Sequence, residues 1–100
     1  MNRLTPAEEQ VMLRLWVLER ASVKQIVKLY NDNLLDRNST STIARVLERK
    51  NFIKHRQKGS VYIYKSMISR NEYREYLTEH LLANYCDQDK ISLIEEIKRI

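Results

Sequence analysis

Residues 38–65, NSTSTIARVLERKNFIKHRQKGSVYIYK, change their period half-way along. As far as Lys50, the apolar residues Ile43, Val46 and Leu47 fall three and four positions apart, the spacing of one helix face turned inward. From Phe52 onward β-branched and aromatic residues gather instead, most densely in Val61-Tyr62-Ile63-Tyr64, which is strand composition. Between the two strand runs lies Gln57-Lys58-Gly59-Ser60, and Gly59 supplies a positive φ angle at little steric cost. The stretch therefore predicts a helix, beginning near Asn38 or Ser39, that runs into a β-hairpin with a basic tip.

Working outward, the N-terminal side carries two more helix signals. Thr5-Pro6-Ala7-Glu8 combines a capping hydroxyl, a proline at the first helical position and a reciprocal glutamate. Val11, Met12, Leu15 and Trp16 follow at helical spacing, and that stripe ends near Leu18. Ser22 with Gln25 repeats the capping pattern ahead of a shorter apolar face of Val23, Ile26, Val27 and Tyr30. Asn31 to Asn33 and Asp36 to Asn38 read as a connecting turn. On the C-terminal side, Ser69 with Glu72 opens a helix bearing Tyr73, Tyr76, Leu77, Leu81 and Tyr85, and a last segment spaces Ile91, Ile94, Ile97 and Ile100 by three. The expected fold is mainly α with a small β-hairpin wing: a winged helix-turn-helix domain over residues 1–67, then C-terminal dimerisation helices over residues 68–100.

Composition removes whole classes of function. The chain has 100 residues, 43% hydrophobic and 31% charged, as expected of one small globular domain with an appended arm. A single glycine excludes glycine-rich phosphate loops. A single cysteine, Cys86, excludes internal disulfides, cysteine zinc sites and iron–sulfur clusters, and reads as a small interface residue. No apolar run approaches about 18 residues, so no membrane span is expected and the compartment is read as cytoplasmic. His55 and His80 fall on different elements with no converging partners, so neither a metal nor a cofactor is expected. Glu8/Glu9 and Glu95/Glu96 are adjacent pairs that point in different directions on a helix, and read as surface charges. No catalytic constellation emerges, and the chain is not read as an enzyme.

Charge is distributed unevenly. Residues 1–70 hold 14 Lys/Arg against 6 Asp/Glu, net +8, whereas residues 71–100 hold 4 against 7, net −3. A helix fits the major groove of duplex DNA, and the predicted outward face of the third helix offers Ser39, Ser41, Thr42, Arg45 and Arg49. The hairpin continues with Lys54, Arg56, Lys58 and Ser60, so that six basic residues fall between positions 45 and 58. Cations in such number release counterions from a phosphate backbone. The Tyr62/Tyr64 pair fits either base stacking or the core. An apolar stripe on a projecting helix must be buried somewhere. Tyr73, Tyr76, Leu77, His80, Leu81, Tyr85, Ile94 and Ile97 are therefore read as a homodimer interface, which suits two reading helices set ~34 Å apart on a palindrome. Two other readings remain: a winged-helix module for protein–protein assembly, and a repressor sensing a small ligand between domain and arm.

Leu4-Thr5-Pro6-Ala7-Glu8 with Val11-Met12 and Trp16 resembles the opening helix of the penicillinase repressor family, which includes methicillin-resistance regulators and copper-responsive repressors. Thr42-Ile43, Leu47-Glu48-Arg49-Lys50 and Phe52-Ile53 are similar to its recognition helix and first wing strand, and His55, Gly59 and Val61 to Tyr64 to its wing. The resemblance spans roughly residues 4–85. It implies a homodimeric repressor of double-stranded DNA, with Ser41, Thr42 and Arg45 in the contacting helix and Lys58 and Ser60 at the wing tip. It also implies an inducing sensor protease as a partner, although the nearest position here to the family's Asn-Phe cleavage bond is Glu96-Ile97. Asn51 stands where relatives carry a turn glycine, and asparagine tolerates the same left-handed conformation.

Overall fold

The computed structural model describes residues 1–100 and divides them into two compact units, residues 2–70 and residues 71–100 with Met1. In the first unit the order is α1 (Pro6–Leu18), β1 (Arg20–Ala21), α2 (Val23–Lys28), α3 (Arg37–Arg49), β2 (Ile53–Lys58) and β3 (Val61–Ser66). Helix α4 (Arg70–Tyr85) begins at the last residue of that unit, and α5 (Lys90–Lys98) completes the chain. This is the winged-helix architecture with C-terminal helices that the sequence predicts. No helix is long and apolar enough to cross a membrane.

Local chemistry sets the helix ends. Thr5 Oγ1 accepts from the Glu8 N–H at 3.2 Å while Glu8 Oε1 accepts from the Thr5 N–H at 2.9 Å, closing the expected capping box at α1. Ser22 and Gln25 do the same at α2, with distances of 3.2 and 2.8 Å. Helix α3 starts at Arg37, slightly before the expected position, because Asp36 Oδ1 accepts from the Ser39 N–H at 2.8 Å. Its far end is a Schellman closure: the Asn51 N–H donates to Glu48 O, the Phe52 N–H donates to Leu47 O, and Asn51 takes φ 65°. Asparagine thus serves in the left-handed position expected of it.

Two expectations need correction, and one strand is added to them. Helix α2 stops at Lys28, and Asn31 at φ 50° turns the chain away, so Tyr30 is exposed and does not join the α2 apolar face. Its ring lies 5.1 Å from the Arg14 guanidinium instead. The fully buried stripe of α3 is Thr40, Ala44 and Leu47, with Ile43 and Val46 only half-buried beside it. Strand β1 was not foreseen. It is two residues long, and its only support is tertiary: Arg20 opposes Lys65 and Ala21 opposes Tyr64 in the antiparallel order β1-β3-β2.

The core of the first unit joins Val11, Met12 and Leu15 of α1, Ile26 of α2, Ala44 and Leu47 of α3, and Ala21, Phe52, Ile53 and Tyr64 around the sheet. Trp16 anchors α1 to the end of β3, its Nε1–H donating to Ser66 Oγ at 3.1 Å and to Ile68 O at 2.8 Å. Arg14, a charged residue inside α1, is buried; it donates to the Asp32 carboxylate at 2.7 Å and, at 3.4 Å each, to the Ile26 and Val27 carbonyls. In residues 71–100, Tyr73, Tyr76 and His80 stack in sequence at 5.8 and 6.2 Å along α4, and Tyr85 meets His80 edge-on at 6.4 Å. Tyr73 and Cys86 are buried and Tyr76, Leu77 and His80 half-buried, while Leu81, Tyr85, Ile91, Ile94 and Ile97 are exposed. Asp89 caps α5, accepting from the Ile91 N–H at 3.0 Å, so that helix spans Lys90–Lys98.

Candidate nucleic-acid interface

Helix α3 turns Ser39, Thr42, Arg45 and Arg49 to solvent and keeps Ser41 half-buried. Arg37, Ser41 and Arg45 recur every four residues and so share a face. That face borders a groove of about 370 Å³ whose other walls include Lys24 of α2 and Ser60 and Tyr62 of the hairpin. The fold thus brings together Ser41, Arg45 and Ser60, which lie far apart in the chain. Arg37 and Lys24 join them without having been singled out from the sequence. For Arg37 the signal was present: starting the helix at the Asp36 cap places it one turn before Ser41.

Strand register decides where the hairpin side chains go. Side chains alternate between the two faces of a strand. Tyr64 is buried, and its cross-strand partners Ala21 and His55 lie on the same inner face. Tyr62 shares that face but is exposed, with its ring stacked on His55 at 4.1 Å between centroids. His55 Nδ1 lies 2.6 Å from Glu48 Oε1, which links the hairpin to α3. Burial first, and then the Glu48 carboxylate, push the Tyr64 phenol above its ordinary value of 10.0. The two tyrosines therefore divide the roles left open between them: Tyr64 serves the core and Tyr62 faces the groove.

Lys54, Arg56 and Lys58 have the opposite parity. By register they oppose Lys65, Ile63 and Val61 on the outer face of the sheet. The run of basic residues that looks continuous in sequence is thus split between two surfaces. Gly59 holds the tip at φ +61°.

Two charges sit elsewhere than expected. Glu8 is not a surface charge: it is buried, and its carboxylate accepts from Lys50 Nζ at 2.8 and 3.1 Å. Lys50 is thereby withdrawn from the exposed basic run, because its charge is neutralised across the unit. Burial is the largest single influence on the Glu8 carboxyl and pushes it up. The Lys50 hydrogen bond, the Thr5 N–H and the Lys50 charge outweigh burial and hold the group below its ordinary 4.5. Asp36 is likewise held low, first by the Ser39 N–H, so the negative cap of α3 persists well into acid. No group of three His, Cys, Asp or Glu side chains comes together in an arrangement that could hold a metal ion.

The arrangement is a polar helix face and a wing tip flanking one groove, rimmed by guanidinium and ammonium groups. Arginine offers paired donors to phosphate or to guanine, and serine bonds either. A model of the penicillinase repressor family matches residues 4–99, nearly the whole chain. No curated relative matches the sequence.

Proposed function

The chain belongs to the penicillinase repressor family, and from that premise we propose that it is a transcriptional repressor that binds a palindromic DNA operator as a homodimer. The observation that carries this reading is the groove shared by Arg37, Ser41, Arg45, Lys24 and Ser60. In it α3 enters the major groove, with Arg45 forking onto a guanine and Ser41 and Thr42 reaching bases or phosphates. Ser39, Arg37, Arg49 and Lys24 hold the flanking phosphates, while Lys58 and Ser60 bring the wing tip to the backbone. Residues 1–67 form the reading head and residues 68–100 the arm. The arm's exposed Leu81, Tyr85, Ile94 and Ile97, with the half-buried Tyr76, Leu77 and His80, supply the apolar surface that a second copy covers, while Tyr73, already buried within the chain, leaves that set.

Selection from a random duplex pool, followed by fluorescence anisotropy at ~150 mM salt, tests this. The selected site should be an inverted repeat with half-sites about one helical turn apart. It should bind at least ~10³-fold more tightly than its scrambled version. Equal affinity for the two duplexes, or recovery of a site without two-fold symmetry, would overturn the proposal.

A further inference from the structure

The outer face of the sheet has a composition that the fold does not require. Lys65 lies in the central strand between Arg20 on one side and Lys54 on the other, so three cations oppose one another in a single row. Arg56 extends the same face, and Lys58, at the hairpin tip, ends it where the wing meets the first duplex. Like charges directly opposite across strands destabilise a sheet. None of these five residues makes an ion pair, and no strand residue is Asp or Glu. Arg20, Lys54, Arg56, Ile63 and Lys65, with His55, border a hollow of about 420 Å³. This hollow is separate from the groove beside α3.

We propose that this outer sheet face is a second polyanion-binding surface, which takes the phosphate backbone of a further duplex segment while α3 occupies the first. The inference rests on the chain acting on duplex DNA. Charge complementarity calls for a polyanion, and the near absence of apolar side chains selects nucleic acid over an acidic protein. A protein partner needs an apolar core to its interface, and this face offers the half-buried Ile63 and, at the tip, Val61. A phosphate backbone needs only cations. Because strand alternation sets this row across the sheet from Tyr62 and Tyr64, a duplex seated beside Arg45 leaves it uncovered.

The test uses the full chain, the variant Arg20→Gln/Lys65→Gln, and Arg45→Ala. A mixed-sequence 20-bp duplex carrying one dye is bound first. A second, differently labelled duplex is then titrated at 50–200 mM salt, with energy transfer and co-sedimentation as readouts. The wild-type chain should capture both duplexes on each protomer. Arg20→Gln/Lys65→Gln should keep its affinity for the first duplex and melt no lower than wild type, since it relieves the like-charge row. It should bind the second duplex more weakly, with a log–log salt slope for that second event smaller by about 1.8 for two phosphate contacts removed. Arg45→Ala should weaken the first duplex and spare the second. Capture of poly-glutamate in preference to the second duplex, or an unchanged second binding event in Arg20→Gln/Lys65→Gln, overturns the proposal. Because the probe carries no selected sequence, a failed search for an operator leaves this outcome readable.

Discussion

Replacing Lys50 by methionine keeps an unbranched stem of four atoms and removes the ammonium. What remains is the Glu8 carboxylate, 5% exposed at the side chain, with one hydrogen bond left from the Thr5 N–H at 2.9 Å. Breaking a fully buried pair costs about 3–5 kcal/mol, and an exposed pair contributes about 0–1 kcal/mol. Lys50 is 30% exposed at its side chain, so this pair falls between the two limits, at about 2 kcal/mol. For a chain of this length that corresponds to a thermal midpoint lower by about 8–16 °C at pH 7. The pH dependence has a definite sign. The folded-state value of Glu8 lies below the ordinary 4.5, so its contribution is fully present above pH 4.5 and is lost as pH falls through the lower folded value. Without Lys50, burial dominates and the carboxyl protonates more readily. The gap between wild type and Lys50→Met should therefore begin to narrow above pH 4.5 and close as pH falls through the lowered wild-type value. Circular dichroism melts from pH 3 to 7, combined with Glu8→Gln in a double-mutant cycle, measure this. A loss under about 0.5 kcal/mol at pH 7, or a gap constant across the range, would refute the burial argument. The same variant should leave the salt slope of DNA binding unchanged, since Lys50 already spends its charge inside the protein.

Arg45→Ala should weaken binding to a selected operator by ~1–3 kcal/mol and broaden base preference, as read by anisotropy on single-base variants. Lys58→Ala should instead weaken all duplexes alike, and equal losses on specific and random DNA for both variants would count against the assignment. At Gly59 a Cβ meets no atom within 4 Å, so Gly59→Ala should cost only the strain of φ +61°, about 1 kcal/mol by urea unfolding, and Gly59→Asn should recover most of it. Tyr76→Asp should convert the proposed dimer to monomers by light scattering; an unchanged mass would deny the arm its proposed role.

The parts of this fold that are legible in the sequence are those written in local chemistry. Thr5 with Glu8 and Ser22 with Gln25 satisfy helix N–H groups within three residues, and Asn51 and Gly59 occupy backbone positions that few residues tolerate. What escaped depends on partners distant in the chain. Glu8 and Lys50 are 42 residues apart, and β1 exists only because β3 passes beside Arg20 and Ala21. The candidate site divides in the same way. The outward face of α3 follows from its period, yet counting cations along residues 45–58 merges two surfaces that strand alternation separates. Period-two parity, anchored on Tyr64 as a core residue, was the signal able to divide them.

The junction between α3 and β2 has almost no slack. Phe52 bonds back to Leu47 at 3.0 Å, its carbonyl accepts from the Met67 N–H at 2.8 Å, and Ile53 is already in the sheet. One extra residue inserted there would shift the strand by a single step, turning Lys54 and Arg56 toward the interior and His55 to the outside. The hairpin can be retuned by exchanging side chains or by lengthening its tip, whereas any odd-numbered change of length at the junction exchanges the two faces of β2.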